Sequence, residues 1–415
     1  MKKVLLGTLA VLTLAACSKD EVVQQNPNDA IGFTATTGKA VSRAADGFCN
    51  ADLPTDFFVW AKQGSGATAK NYFEETKYTK SGSSWVSAVS RYWPESGKLD
   101  FFAAKNYNGT VTWSHTTEFN AGTPASPLKI AGYIVESTPA TQKDFIYAVE
   151  MNATKPAYGT ATTLNFRHAL SQIEFQAMNL NKNIHVEVVG VKVMNVKNQG
   201  DFYFPETSTG TVFENHGNGN DATWGTRGMG VWNNLSGSAS YQMNTTNGDA
   251  TEPKDVPYHE TNVVPLTTQN ITTPDAKEYS NETLYAMPQT VDRWDGTGKP
   301  SEAKNNGEGT SYNKHAYFVL TCKIWNVADA TSVNKTTDVV LWGESVHKDI
   351  AVCIPASTVW EQGKRYVYTF KFTTTGNGGI DDKGDPVLTP IQLSVTVDDF
   401  SKGADPIVDM EDPTI

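Results

Sequence analysis

The sequence predicts an all-β protein, and three observations carry that expectation. Two stretches near the C-terminus alternate apolar and polar residues with a period of two. Clusters of Gly, Asn, Ser and Pro punctuate the chain at short intervals. Beyond the first seventeen residues, no run of ten or more repeats apolar residues at the 3.6 spacing of a helix. In Ile391-Gln392-Leu393-Ser394-Val395-Thr396-Val397 every odd position is aliphatic and every even one polar, the signature of a half-buried strand. Tyr366-Val367-Tyr368-Thr369-Phe370-Lys371-Phe372 does the same with aromatics on the even positions. Short strands at antiparallel hairpin spacing make a β-sandwich the natural architecture.

Taken from the N-terminus, the chain opens with a different kind of segment. Lys2 and Lys3 precede an apolar stretch from Val4 to Leu14, eleven residues long. That is well short of the roughly 20 needed to span a bilayer, and suits the core of a signal peptide. It runs into Leu14-Ala15-Ala16-Cys17, small residues ahead of a cysteine. This lipobox pattern predicts a lipoprotein signal at 1–16, cleaved before Cys17, rather than an ordinary secretory signal. The Cys17 thiol would then carry lipid. Residues 17–30 are polar, contain Asn26-Pro27-Asn28, and read as a tether.

From Ile31 onward short β-type runs begin. Candidates are Asp56–Ala61, Leu99–Ala104, Lys143–Val149, Leu164–Ala177, Val186–Val196, Tyr317–Ile324, Val339–Trp342 and Ala351–Ile354. Within Val186–Val196 the aliphatics change phase across Val188-Val189-Gly190, which predicts a β-bulge. Asn152–Thr163 has a linker composition and divides an N-terminal β-sandwich, 31–160, from a C-terminal one, 161–415. Two polar insertions, near 206–262 and 292–313, lengthen the second.

The composition excludes several classes. A chain of 415 residues with a net charge of −11 has nothing to neutralise a nucleic-acid backbone. With 39% hydrophobic residues it can pack cores and is not a disordered chain. Cys49, Cys322 and Cys353 remain after Cys17, and an exported chain meets an oxidising compartment. Cys322 and Cys353 lie in β-like runs, and would form a disulfide if those strands were neighbours or remain buried thiols. No C-x-x-C occurs, so neither zinc nor dithiol redox chemistry has support there.

Searches for chemistry return little. The seven histidines are scattered, without helical i, i+4 spacing, and His168 in a strand-like run reads as a structural histidine. There is no G-x-S-x-G elbow, H-E-x-x-H or phosphate loop. Asp381-Asp382-Lys383-Gly384-Asp385 resembles an oxygen-rich calcium loop but lacks the rest of that pattern; it reads better as the tip of a hairpin joining the two alternating strands. No catalytic residue, metal or cofactor is therefore expected, and the chain is not read as an enzyme. Trp224, Trp232 and Trp294 lie in the polar insertions, as local loop cores or as adhesion platforms for a sugar or partner surface.

Several segments together resemble the fimbrillin family of Bacteroidales surface fimbriae. They are Ile31-Gly32-Phe33 followed by Ser42-Arg43-Ala44, Tyr92-Trp93-Pro94-Glu95 leading to Leu99-Asp100-Phe101-Phe102-Ala103, and Leu164 through Ser171. Leu284-Tyr285-Ala286-Met287-Pro288-Gln289-Thr290, Trp360 through Phe372, and Val395-Thr396-Val397-Asp398-Asp399-Phe400 follow. Ser18-Lys19-Asp20-Glu21 is similar to the acidic export signal of surface lipoproteins in Bacteroidota.

The resemblance implies two tandem transthyretin-like β-sandwiches and a structural or adhesive subunit of type V fimbriae. Such a precursor is anchored by lipid in the outer membrane and exposed at the cell surface. A trypsin-like protease cuts it after an arginine, for which Arg43 and Ala44 are the matching positions. The lost N-terminal strand is replaced by a strand of another fimbrial subunit. The chain departs from a stalk pattern after Phe400, where only fifteen residues remain, two of them proline. Either Ile391–Phe400 is itself the donated strand or this protein does not donate. The alternative is an anchored surface lipoprotein that binds glycan and does not polymerise; either form would meet a host or bacterial surface ligand.

Overall fold

A computed structural model of the chain describes residues 29–37, 53–64, 70–113, 128–157, 160–205, 230–244, 253–267, 284–296, 299–300, 315–329, 333–334, 336–375, 378–381, 383 and 385–399. These residues form twenty-five strands and one 3-10 turn, Pro139–Thr141, and no α-helix. None of them builds a helix long and apolar enough to cross a membrane.

The strands of the first half are β1 (Phe33–Thr37), β2 (Asp56–Gln63), β3 (Lys70–Ser81), β4 (Ser84–Ser87), β5 (Leu99–Lys105), β6 (Thr110–Trp113), β7 (Leu128–Ile134), β8 (Ile146–Ala153) and β9 (Thr162–His168). Next come β10 (Ser171–Asn179), β11 (Ile184–Val196), β12 (Gln199–Tyr203), β13 (Val231–Ser236), β14 (Ala239–Asn244), β15 (Lys254–Val256), β16 (Val264–Pro265), β17 (Leu284–Ala286) and β18 (Gln289–Thr290). The last are β19 (Tyr317–Asn326), β20 (Val339–Trp342), β21 (Lys348–Val352), β22 (Val359–Trp360), β23 (Lys364–Phe372), β24 (Gly378–Ile380) and β25 (Pro386–Asp399).

Seven strands of the first half close into a barrel in the order β1-β4-β3-β2-β5-β8-β9. Its interior is aromatic, with Phe33, Phe57, Tyr78, Trp85, Phe101 and Phe166 all buried. In β5, Phe101 fills the barrel while Phe102 points outward, so the run Leu99-Asp100-Phe101-Phe102-Ala103-Ala104 is apolar on both faces. A strand covered on both faces reads as a nearly continuous apolar run. The cover is a separate four-stranded sheet, β13-β12-β7-β6. From it Phe204 meets Phe102 at 5.8 Å and Phe202 meets Tyr147 at 4.7 Å between ring centroids.

Of the remaining strands, β18 and β22 form a two-stranded sheet, and the others form a twelve-stranded sheet along β14-β11-β19-β21-β24-β25-β23-β10-β16, with β15 on β11, β17 on β10 and β20 on β19. It folds over on itself. Phe175 of β10 meets Phe318 of β19 edge to face at 5.0 Å, and Phe318 meets Tyr368 of β23 at 4.8 Å. The two faces thus enclose a core in the manner of a β-sandwich.

Local expectations are met at several places. The register of β11 against β19 shifts between Val188 and Gly190, where the phase change predicts a bulge. The alternating strands β23 and β25 pair antiparallel from Lys364 opposite Asp399 to Phe372 opposite Ile391. At the tip between them the Asp381 carboxylate accepts from the backbone N–H groups of Lys383 and Asp385, at 2.9 and 2.8 Å. His168 is structural: its Nδ1 lies 2.5 Å from the buried Asp144 carboxylate.

Other expectations change. The run Leu164–Ala177 is two strands, because at the buried Ala169 and Leu170 the chain leaves the barrel for the second sheet. The linker-like stretch near 152–163 joins β8 to β9, both of them barrel strands. The four-stranded sheet takes β6 and β7 from before that stretch and β12 and β13 from after it.

Candidate functional site at the barrel seam

The barrel closes through β1, which lies between β4 and β9. Ile31, Phe33 and Ala35 turn inward and are buried, while Gly32 and Thr34 face outward and are half-buried. The local sequence is a short alternating strand, and its apolar face is what the barrel takes. Phe33 sits at the centre, edge to face with Tyr78 at 4.8 Å and Phe101 at 5.0 Å. Burial of these rings pushes the Tyr78 hydroxyl pKa upward.

The two flanks of β1 are unequal. Along β9 it runs parallel, with five residues in register from Phe33 opposite Thr162 to Thr37 opposite Phe166. Along β4 one pair is in register, Phe33 opposite Trp85. Upstream of the strand, the Ile31 N–H donates to the Arg91 carbonyl at 2.6 Å and the Trp93 N–H donates to the Asp29 carbonyl at 3.0 Å. Lys155 adds an ion pair to Asp29 at 2.6 Å. The Trp85 indole N–H donates to the Pro54 carbonyl at 2.7 Å, which holds its ring against Phe57.

Phe57, Tyr78, Trp85, Phe101 and Phe166 line the space that the inward face of β1 fills, and β4 and β9 flank it with backbone groups, an arrangement of the kind that pairs with an extended segment of alternating apolar side chains. The set is assembled from five strands. Only Phe101 and Phe166 fall in the motifs singled out from the sequence; the in-out alternation of Phe57, Val59 and Ala61 is a signal for Phe57, while Tyr78 and Trp85 enter through the pairing of β3 and β4.

A fimbrillin-like family model matches residues 42–399. The chain belongs to the fimbrillin-like family. Membership supports a fimbrial or adhesive subunit at the cell surface, and a structural role rather than catalysis. A comparison with curated proteins finds no match. Among solved structures, this fimbrillin-like chain is similar to a candidate cell adhesion protein from Bacteroides ovatus, at 11% identity over 91% of this chain and 100% of the other, TM-score 0.43. It is also similar to candidate polysaccharide binding proteins from Bacteroides thetaiotaomicron, at 11% identity over 89% and 97%, TM-score 0.33. A third is the tip fimbrial protein Mfa3 from Porphyromonas gingivalis, truncated at its C-terminus, at 9% identity over 84% and 95%, TM-score 0.32.

The residues singled out in the sequence of this fimbrillin-like protein fall as follows. Cys17, Cys49, Arg43, Ala44 and Trp224 lie outside the described residues. Trp232 and Trp294 are not exposed platforms, which corrects the adhesion reading for both. Trp232 packs on Phe202 at 5.1 Å and its indole N–H donates to the Ala169 carbonyl at 2.6 Å. Trp294 stands edge to face with Tyr317 at 6.0 Å.

The Cys322–Cys353 disulfide is corrected too, since both are free thiols. Cys322 lies opposite Lys348 on β21, five residues before Cys353. That offset is about 16 Å along a strand, against an upper limit of roughly 7 Å between bridged Cα atoms. The two also face opposite ways: Cys322 enters the large core, while Cys353 packs beside Trp294 and Tyr317.

Proposed function

We propose that this chain is a lipid-anchored precursor of a type V fimbrial subunit, which receives a strand from another subunit after its own β1 is cut away. The observation that carries the reading is the place of β1. It closes the barrel by non-covalent contacts, and it precedes Arg43 in the sequence. A cut between Arg43 and Ala44 would sever β1 from every other strand of the barrel. What remained would be an apolar slot between β4 and β9, with strand edges on both sides.

The far end of the chain favours a receiver over a donor. Within its own chain β25 already pairs with β23 from Ile391 to Asp399, and Leu393 and Val395 pack on the large core. Donating it would cost the second sheet that whole ladder. Such a subunit needs one strand connection, as a tip or accessory subunit does. In this reading Cys17 holds the precursor on the outer membrane until processing releases it into the fibre.

The test treats the purified precursor with a trypsin-like protease and reads the new N-terminus by mass spectrometry. The expected result is an N-terminus at Ala44, followed by SDS-resistant ladders when related subunits are added. An intact Arg43–Ala44 bond, or a cut product that stays monomeric with those subunits, would overturn the proposal. With two of the three tryptophan platforms buried, no observation favours the glycan-binding alternative.

A further inference from the structure

We propose that His185, Glu187 and Asp255 form a binding site for a zinc-like divalent cation, away from the seam and independent of it. Among the described residues they are one group whose ligand atoms converge, all within 4.8 Å of one another. The site follows from strand geometry. His185 and Glu187 are two apart on β11 and project from the face opposite the core residues Ile184, Val186 and Val188. Asp255 on β15 lies directly opposite Glu187 in the antiparallel pair. The His185 Nε2 is 3.4 Å from the Asp255 carboxylate.

Three physical features point to a cation. First, two carboxylates directly opposite on neighbouring strands repel, and the side chain of Glu187 is only 12% exposed. A divalent ion between Glu187 and Asp255 turns that repulsion into attraction. Second, imidazole nitrogen is unsatisfied around the site. The His347 Nε2, 3.4 Å from the Glu187 carboxylate, makes no hydrogen bond, and the buried His185 Nε2 reaches the Asp255 carboxylate only at a long 3.4 Å. Third, the facing cation on the next strand is engaged elsewhere: Lys323, opposite Glu187 on β19, carries its ammonium over the Trp325 ring at 4.9 Å.

The donor set selects the class of ion. Imidazole nitrogen mixed with carboxylate oxygen suits zinc and its first-row neighbours better than calcium or magnesium, which take oxygen alone. Ligand atoms around a tetrahedral zinc lie about 3.3 Å apart, close to the His185–Asp255 distance. The Asp255 side chain is 67% exposed, which leaves a path from solvent. His347 would hold the Glu187 carboxylate from behind or complete the shell. Bound there, the ion would pin the three-residue β15, part of the polar insertion predicted near 206–262, to the long strand β11.

The experiment uses the untagged full chain, stripped with a chelator and titrated with Zn2+ alone against a chromophoric competitor. The expected result is one equivalent bound, weakened at least tenfold by Asp255→Asn, an exposed change that leaves the core untouched. Asp292→Asn serves as control, because Asp292 and His315 form a two-residue pair at 3.0 Å; it should bind Zn2+ as the parent does. Hydrogen exchange of the β15 amides in the parent should slow on adding Zn2+. Absence of stoichiometric uptake, uptake indifferent to Asp255→Asn, or β15 exchange unchanged by Zn2+ would each overturn the proposal.

Discussion

Phe33 stands directly opposite Trp85, and that pair alone carries the register between β1 and β4 among the described residues. Five pairs join β1 to β9 on the other flank. The strand that closes the barrel is therefore held mainly by its buried side chains and by one of its two edges. Loss of the Phe33 ring removes its contacts with Tyr78 and Phe101 together.

Phe33→Ala should cost about 3–5 kcal/mol, as for other fully buried phenylalanines. Chemical denaturation followed by tryptophan fluorescence would measure it, and limited proteolysis should show faster cutting around β1. A denaturation midpoint equal to that of the parent would contradict the assignment of β1 as the keystone.

The thiols give a second prediction. Burial pushes up the pKa of the Cys322 thiol and also that of Cys353, which is the less buried of the two. In the folded protein Cys353, being half-buried, should react with maleimide slowly, and Cys322 should react only after unfolding. Reduction should leave the mass of a peptide containing either residue unchanged. A linked Cys322–Cys353 peptide under oxidising conditions would refute the placement.

Trp232→Ala and Trp294→Ala should behave as core truncations, each lowering stability by about 3–5 kcal/mol. Trp232→Ala also leaves the Ala169 carbonyl without its 2.6 Å donor. Thermal melts paired with polysaccharide affinity gels separate the two readings. A normal melting temperature with lost retardation would restore the adhesion role.

Burial also pushes up the hydroxyl pKa of Tyr133, Tyr147, Tyr241 and Tyr368. A group whose pKa is higher folded than unfolded stabilises the fold fully below the unfolded value, and that stability is lost as pH rises above it. The unfolded value for tyrosine is about 10. Stability should accordingly be flat with respect to these groups at neutral pH and fall above that point. Absorbance titration at alkaline pH should show these four ionising with unfolding rather than before it.

Much of the fold was legible along the chain. Val339–Trp342 was read with the bounds it has as β20, and the Val188-Val189-Gly190 phase change marked a real register shift. The pairing of β23 with β25 followed from two alternating strands joined by a polar tip. The alternatives that the sequence left open have one origin. Cys322 and Cys353 both sit in strand-like runs, yet a one-residue change of parity and a five-residue offset place them on opposite faces. Trp232 and Trp294 fall in polar surroundings by sequence, yet β12 and Tyr317 supply their apolar neighbours from elsewhere.

The same division separates the two sites. Side-chain alternation acts over a few residues, so Ile31, Phe33 and Ala35 already specify a strand with one apolar face. The lipobox-like pattern ending at Cys17 and the arginine at position 43 are likewise local features of the sequence. Neighbour choice is non-local: β1 meets β9 in parallel across 129 positions, as the Thr34–Thr163 hydroxyl contact shows. Asp255 joins His185 across 70 positions. No short window contains such pairs, because they exist only once chain entropy has been spent on closing long loops around a shared core.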